Sequence, residues 1–150
     1  MLDPVLPETV VLDAAPAIGH ITHLPVLRAA FACTAGDILE LGCGDGSTPE
    51  LHKLCASTKR RLLTAENDWR WQKKLQYLES DFHRFASVRD WSEVPLLPPT
   101  SSRWGVVLVD QAPAQARRAS VMRYQGAADI IVVHDTEPAS YRFYKFDEGL

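Results

Sequence analysis

Cysteine is scarce and scattered. The chain has three among 150 residues, Cys33, Cys43 and Cys55, with no CxxC spacing. An odd, dispersed set excludes a disulfide framework and a cysteine-based zinc site, and it points to a reducing compartment. Long hydrophobic runs are absent too, and nothing approaches the roughly 20 apolar residues that cross a bilayer. The first residues carry Asp3, Pro4, Pro7 and Glu8 instead of a basic flank and an apolar stretch, so they do not read as a signal peptide. The expected address is cytoplasmic, with no membrane partner. An excess of positive charge is also missing. With a net charge of −3 and a pI near 5.9, a broad nucleic-acid-binding face is not indicated, although a local basic patch stays open. There is no internal repeat and no low-complexity tract.

Hydrophobic residues make up 46% of the chain and charged residues 23%, the balance of a soluble globular protein with one core. Glycine is uncommon, at eight residues, yet three of them fall at alternate positions, Gly42, Gly44 and Gly46. They close the stretch Asp37–Thr48, DILELGCGDGST. Its apolar run reads as a buried parallel strand. The glycines read as a turn needing positive φ, where a ligand can lie against bare main chain. Pro49 suits the first turn of a following helix, with Ser47 or Thr48 as cap.

The rest of the chain alternates strand and helix signals. A helix from about residue 23 to Cys33 carries Leu24, Leu27, Ala30 and Phe31 on one face. After the glycine turn come helix 49–57, strand 61–66, helix 69–79, strand 82–88, a proline-rich loop at 94–103, strand 104–110, helix 114–124 and strand 129–134. Such alternation predicts an α/β three-layer sandwich with a mostly parallel, doubly wound sheet of about five strands. Residues 1–19 read as an irregular arm with a short extended piece at 9–12, and 20–138 as the domain. The tail 139–150 is dense in aromatics: Tyr141, Phe143, Tyr144 and Phe146. Doubly wound sheets bind ligands beyond the carboxyl ends of their strands, so the strand-end residues are the ones that matter.

Glu40-Leu41-Gly42-Cys43-Gly44-Asp45-Gly46 resembles the first motif of the class I S-adenosylmethionine-dependent methyltransferases, an acidic residue followed by GxGxG. The match covers roughly residues 20–138. A nicotinamide or flavin fingerprint would put the third glycine one place later, where Ser47 stands. The resemblance implies a Rossmann-like fold and S-adenosylmethionine as cofactor. It gives Gly42, Gly44, Asp45 and Gly46 to the loop beside the amino-acid end of the cofactor, and makes Glu40 a cofactor-binding residue that orders that loop and the methionine end of the cofactor. Glu66, ending the next strand, would accept hydrogen bonds from ribose hydroxyls. Asp90 would take the adenine amino group, and Trp91 would stack on the ring or serve as a core or lid aromatic.

Asp110 and Asp135 follow the fourth and fifth strands, as acidic residues do in metal-dependent O-methyltransferases, which would make them ligands for magnesium. Thr136 stands where that group often has Asn. Otherwise the two carboxylates cap the helices that follow. His134 suits a general base toward a substrate hydroxyl, because imidazole ordinarily titrates near neutrality. His20 and His23 would line the same site. Arg117, Arg118 and Arg123 read chiefly as a solvated helix face, with an anionic-substrate role left open. The family adds a helix and an antiparallel hairpin after the fifth strand, for which residues 139–150 are too few; the hairpin is expected to be missing, or the chain to be a piece of a longer enzyme.

The expected function is therefore methyl transfer to an acceptor, favoured as a hydroxyl of a small molecule, with Asp110, His134 and Asp135 as catalytic residues. The alternative is a non-catalytic binding or scaffolding module, docking a protein partner or a second copy through its aromatic tail. A nucleotide-dependent oxidoreductase fits the glycine spacing less well.

Overall fold

The computed structural model describes residues 8–13 and 23–134. His20, Asp135, Thr136, the tail aromatics and the expected loss of a hairpin lie outside the described residues. Six strands and four α-helices follow one another as β1 (Val10–Asp13), α1 (Leu24–Ala32), β2 (Ile38–Leu41), α2 (Ser47–Thr58), β3 (Leu62–Glu66), α3 (Trp69–Leu75), β4 (His83–Ser87), β5 (Trp104–Val109), α4 (Ala116–Tyr124) and β6 (Ala128–Val133). Short 3-10 turns occupy Gln76–Leu78 and Trp91–Glu93. All strand pairs are parallel, in the order β1-β6-β5-β2-β3-β4.

The apolar runs explain why the sheet is a middle layer. Alternate residues of a strand face opposite ways, so a strand apolar at every position must be covered on both sides. One face, with Ile38, Leu62, Val106, Leu108 and Val132, packs on Leu27, Ala30 and Phe31 of α1 and Leu51 and Cys55 of α2. The other, with Leu39, Leu41, Ala65, Val107, Val109 and Ile131, packs on Val121 and Tyr124 of α4. The chain runs outward from β2 through β3 to β4, then returns to β5 on the other side of β2. The strand order reverses between β2 and β5, and the crevice there is where such sheets take ligands.

Three local expectations change. A sixth strand exists, because the short extended piece of the amino-terminal arm pairs in register with β6, from Val10 beside Ile130 to Asp13 beside Val133. Thr9 fastens it: its hydroxyl donates to the carbonyl of Ala128 at 2.7 Å and accepts the N–H of Gly126 at 2.8 Å. Both edges of β6 are thereby filled. Helix α2 begins at Ser47, so its cap is the backbone of Gly46, and Ser47 and Thr48 turn their hydroxyls elsewhere. Helix α3 ends at Leu75, the one buried residue of its apolar set, while Trp71 stays 40% exposed. Its start is capped by Asp68, whose carboxylate accepts the N–H of Arg70 at 2.9 Å.

Candidate functional site

A cavity of about 590 Å³ opens at the carboxyl ends of the strands, over the point where their order reverses. Its walls come from the glycine turn (Cys43–Ser47), the end of β3 and start of α3 (Glu66, Asp68, Trp71), the end of β5 (Asp110, Ala112), His134 after β6, and His23 ahead of α1. Ligand sites of this kind commonly run from about 300 to 1,000 Å³. Among the described residues the lining carries four carboxylates and two imidazoles but no lysine or arginine.

Only one of the three glycines in the turn needs positive φ. Gly42 has φ +85°, and a Cβ there would lie 2.6 Å from the carbonyl oxygen of Asp110 and 2.7 Å from Cα of Gln111. That close approach lets the ends of β2 and β5 meet beneath the cavity. At Gly44 a Cβ would meet only Oγ of Ser47, at 3.7 Å, so this glycine leaves room in the cavity wall instead of relieving a clash. Gly46 has φ −86°, within reach of any residue.

Glu40 does not line the cavity. It is fully buried beneath the turn, on the face of β2 that meets α2. Its Oε1 accepts the hydroxyls of Ser47 at 2.6 Å and Thr48 at 3.0 Å, and its Oε2 accepts that of Thr64 at 2.8 Å. Thr48 in turn accepts the N–H of Gly44 at 2.9 Å. The ordering role expected of Glu40 thus has a route: carboxylate to hydroxyl to loop amide. Burial pushes its carboxyl up to about 7, against the opposite pull of the Ser47, Thr64 and Thr48 hydroxyls.

The chain of contacts continues away from the cavity. Thr64 has one hydroxyl proton. With that proton on Glu40, its oxygen accepts from Nε2 of the fully buried His83, 2.9 Å away. Nδ1 of His83 then accepts from Nδ1 of His52 at 3.0 Å. Burial, followed by the neighbouring His52, lowers the pKa of His83 to about 4, so it is neutral near pH 7.

Glu66 lines the cavity, and its carboxylate also fastens the backbone. Oε2 accepts the N–H of Cys43 at 2.8 Å, and Oε1 accepts those of Asn67 and Asp68, each at 2.9 Å. A carboxylate offers about four acceptor positions, so one remains for a ligand hydroxyl. Burial and the adjacent Glu66 push the Cys43 thiol upward, which removes it as a nucleophile.

At the far wall, Nδ1–H of His134 donates to Oδ1 of Asp110 at 2.9 Å, and the His134 ring meets that of His23 edge-on with centroids 4.4 Å apart. The carboxylate on Nδ1 sets Nε2 as the proton-accepting nitrogen of the neutral ring. The structure adds a residue to this group. Arg117, expected among solvated arginines, is buried and ties the ends of β5 and β6 together. It donates to the carbonyls of Gln111 at 2.9 Å and His134 at 3.1 Å, and its Nη2 lies 3.2 Å from Oδ1 of Asp110. No periodicity signals this, because the burial of Arg117 depends on two strand ends remote in sequence.

Asp90 and Trp91 are not brought into the cavity lining. Asp90 is exposed and caps the turn Trp91–Glu93, accepting the N–H of Ser92 at 2.8 Å while Glu93 accepts that of Asp90 at 3.0 Å. Trp91 packs against the core, and its indole N–H donates to the carbonyl of Ala112 at 3.1 Å. Asn67 donates to the same carbonyl at 2.7 Å. The expected adenine partners therefore tie down a cavity wall, and Trp71 is the aromatic that faces the space. Among the described residues no group of three His, Cys, Asp or Glu side chains is placed to hold a metal ion, and no helix is long and apolar enough to cross a membrane.

Comparison with family models, with curated proteins and with solved structures gave no match.

Proposed function

We propose that the cavity binds S-adenosylmethionine and that the chain is a methyltransferase domain acting on a small-molecule hydroxyl. The observation that carries this is the charge of the lining: Asp45, Glu66, Asp68 and Asp110 face it, and among the described residues no lysine or arginine lines it. A dinucleotide would bring phosphates, which seek cations or a bare helix N-terminus. Here the buried Glu40 carboxyl sits beneath the start of α2 and takes the hydroxyls of Ser47 and Thr48, which disfavours an anion at that end. A sulfonium with an amino group and a ribose suits carboxylates instead, and bound there it would supply an electrophilic methyl group.

The chain's own residues then have distinct tasks. Gly44 leaves space beside Ser47 for the amino-acid end, and Glu66 has an acceptor position for a ribose hydroxyl. Trp71 offers an apolar wall for the base. Asp110 orients His134, whose Nε2 takes the proton of the acceptor hydroxyl, and Arg117 holds Asp110 in place. Alignment of acceptor and methyl group supplies most of the rate in a reaction of this type. Magnesium is left out of this assignment: Oδ1 of Asp110 is shared between the guanidinium of Arg117 and the imidazole of His134. A reducing, cytoplasmic address accompanies it, with Cys33, Cys43 and Cys55 all free thiols.

Calorimetric titration with S-adenosylmethionine tests the proposal, run beside a nicotinamide dinucleotide and repeated in chelator. Binding of the first alone, unchanged by chelator and weakened by Trp71→Ala, is the expected result. Preference for the dinucleotide would overturn it. Tight binding without methyl transfer to any hydroxyl acceptor would leave the non-catalytic module as the function.

A further inference from the structure

The solvent face of α3 runs against the composition of the chain. In a protein of net charge −3, the exposed side chains of this helix and the turn after it are Trp69, Arg70, Lys73, Lys74, Gln76 and Tyr77, with Trp71 at the border of the cavity. Helical spacing puts Trp69 and Lys73 in one row, and Tyr77 follows in the 3-10 turn after the helix. Trp69 is 67% exposed and Tyr77 74%, more than any core-packing purpose explains. The cations lie over the rings: the Arg70 guanidinium is 6.0 Å from the Trp69 ring centre, and Nζ of Lys74 is 4.8 Å from that of Trp71. Two nearby carboxylates are engaged, Asp68 as the helix cap and Asp45 with Lys74 at 2.6 Å.

We infer that this face is a docking surface for single-stranded nucleic acid, with Trp69 and Tyr77 stacking on bases and Arg70 and Lys73 meeting phosphates. Every base offers a flat face to an exposed ring, and a strand brings one negative charge per nucleotide, so rings interleaved with cations match both halves of the ligand. An anionic membrane would also attract the cations. However, lipid-embedded helices present exposed aliphatic side chains beside their aromatics, whereas here Leu75 of α3 is buried and Leu78 of the following turn is half-buried. The surface reaches the cavity through Trp71 and through Lys74 on Asp45, yet the inference does not depend on what the cavity binds.

Fluorescence anisotropy of labelled oligouridylate and oligothymidylate, titrated with the full chain at increasing salt, tests this. Trp69→Ala and Tyr77→Ala remove exposed rings, so thermal midpoints should hold while affinity falls about five- to a hundredfold for each ring that stacks. Arg70→Ala combined with Lys73→Ala should weaken binding and flatten its salt dependence by about one to two charges. Three results would overturn the inference: no binding of either oligonucleotide at low salt, binding that these variants leave unchanged, or binding to phosphatidylserine vesicles without binding to oligonucleotides, which would assign the face to a membrane.

Discussion

Replacing Glu40 by Gln should change how stability depends on pH, and the size of the change follows from two buried groups joined through Thr64. In the folded chain the Glu40 carboxyl stands near 7 against an ordinary 4.5. Between those values the folded state keeps a proton that the unfolded state has released, so stability falls as pH rises, by roughly 3 kcal/mol across the window. His83 works the other way. Its pKa stands near 4 against an ordinary 6.5, so its contribution is fully present above pH 6.5 and is lost as pH falls toward 4, again by roughly 3 kcal/mol. In the native protein the two slopes largely offset each other between pH 4.5 and 6.5.

Glu40→Gln removes the falling limb alone. Urea denaturation of both proteins from pH 4 to 8 should show the variant gaining on the native chain by about 3 kcal/mol as pH rises, whatever constant offset the altered hydrogen bonds add. The other carboxylates cancel in the difference. Parallel curves would refute the reasoning, since Glu40 would then keep its ordinary pKa. A difference of opposite sign would mean that three hydroxyl donors outweigh burial and hold the carboxylate ionised beneath the glycine turn.

Gly42→Ala should cost about 2–4 kcal/mol, because positive φ and an intruding Cβ both oppose it, whereas Gly44→Ala should leave stability within about 0.5 kcal/mol and act on ligand binding instead. Thermal melts of the two variants check this, and equal losses would show that the turn, not the approach of Asp110, sets the requirement. Arg117→Ala should destabilise by about 2–4 kcal/mol, since it takes the buried guanidinium from Asp110, leaving, among the described residues, only His134 on that oxygen, and removes the donor to two strand-end carbonyls. Arg117→Lys should not rescue it, because one ammonium cannot span three acceptors; rescue in a urea titration would reduce Arg117 to a point charge.

Much of this architecture was legible in the residues. The apolar runs at 38–41, 104–109 and 128–133 can only be strands covered on both sides, and helical spacing between them compels a parallel sheet. The place of the cavity followed from strand order. What escaped was set by distant partners. Val10–Asp13 is four residues in a proline-rich arm, and only the exposed edge of β6 makes it a strand. Asp90 follows β4 where an adenine partner would stand, yet the capping box with Glu93 claims its carboxylate. Arg117 looks like its neighbours Arg118 and Arg123 until β5 and β6 lie side by side. Glu40, expected beside the cofactor, is instead buried beneath the turn, and its partners Ser47 and Thr48, expected to cap a helix, give it their hydroxyls.

The most direct test is to map S-adenosylmethionine onto the protein by backbone amide shifts of the isotopically labelled chain. The amides of Cys43, Gly44, Asp68 and Asp110 should move together on titration, while those of Asp90 and of the exposed row on α3 stay in place. Saturation without shifts at the glycine turn, or shifts confined to another surface, would contradict the assignment of this cavity to the cofactor.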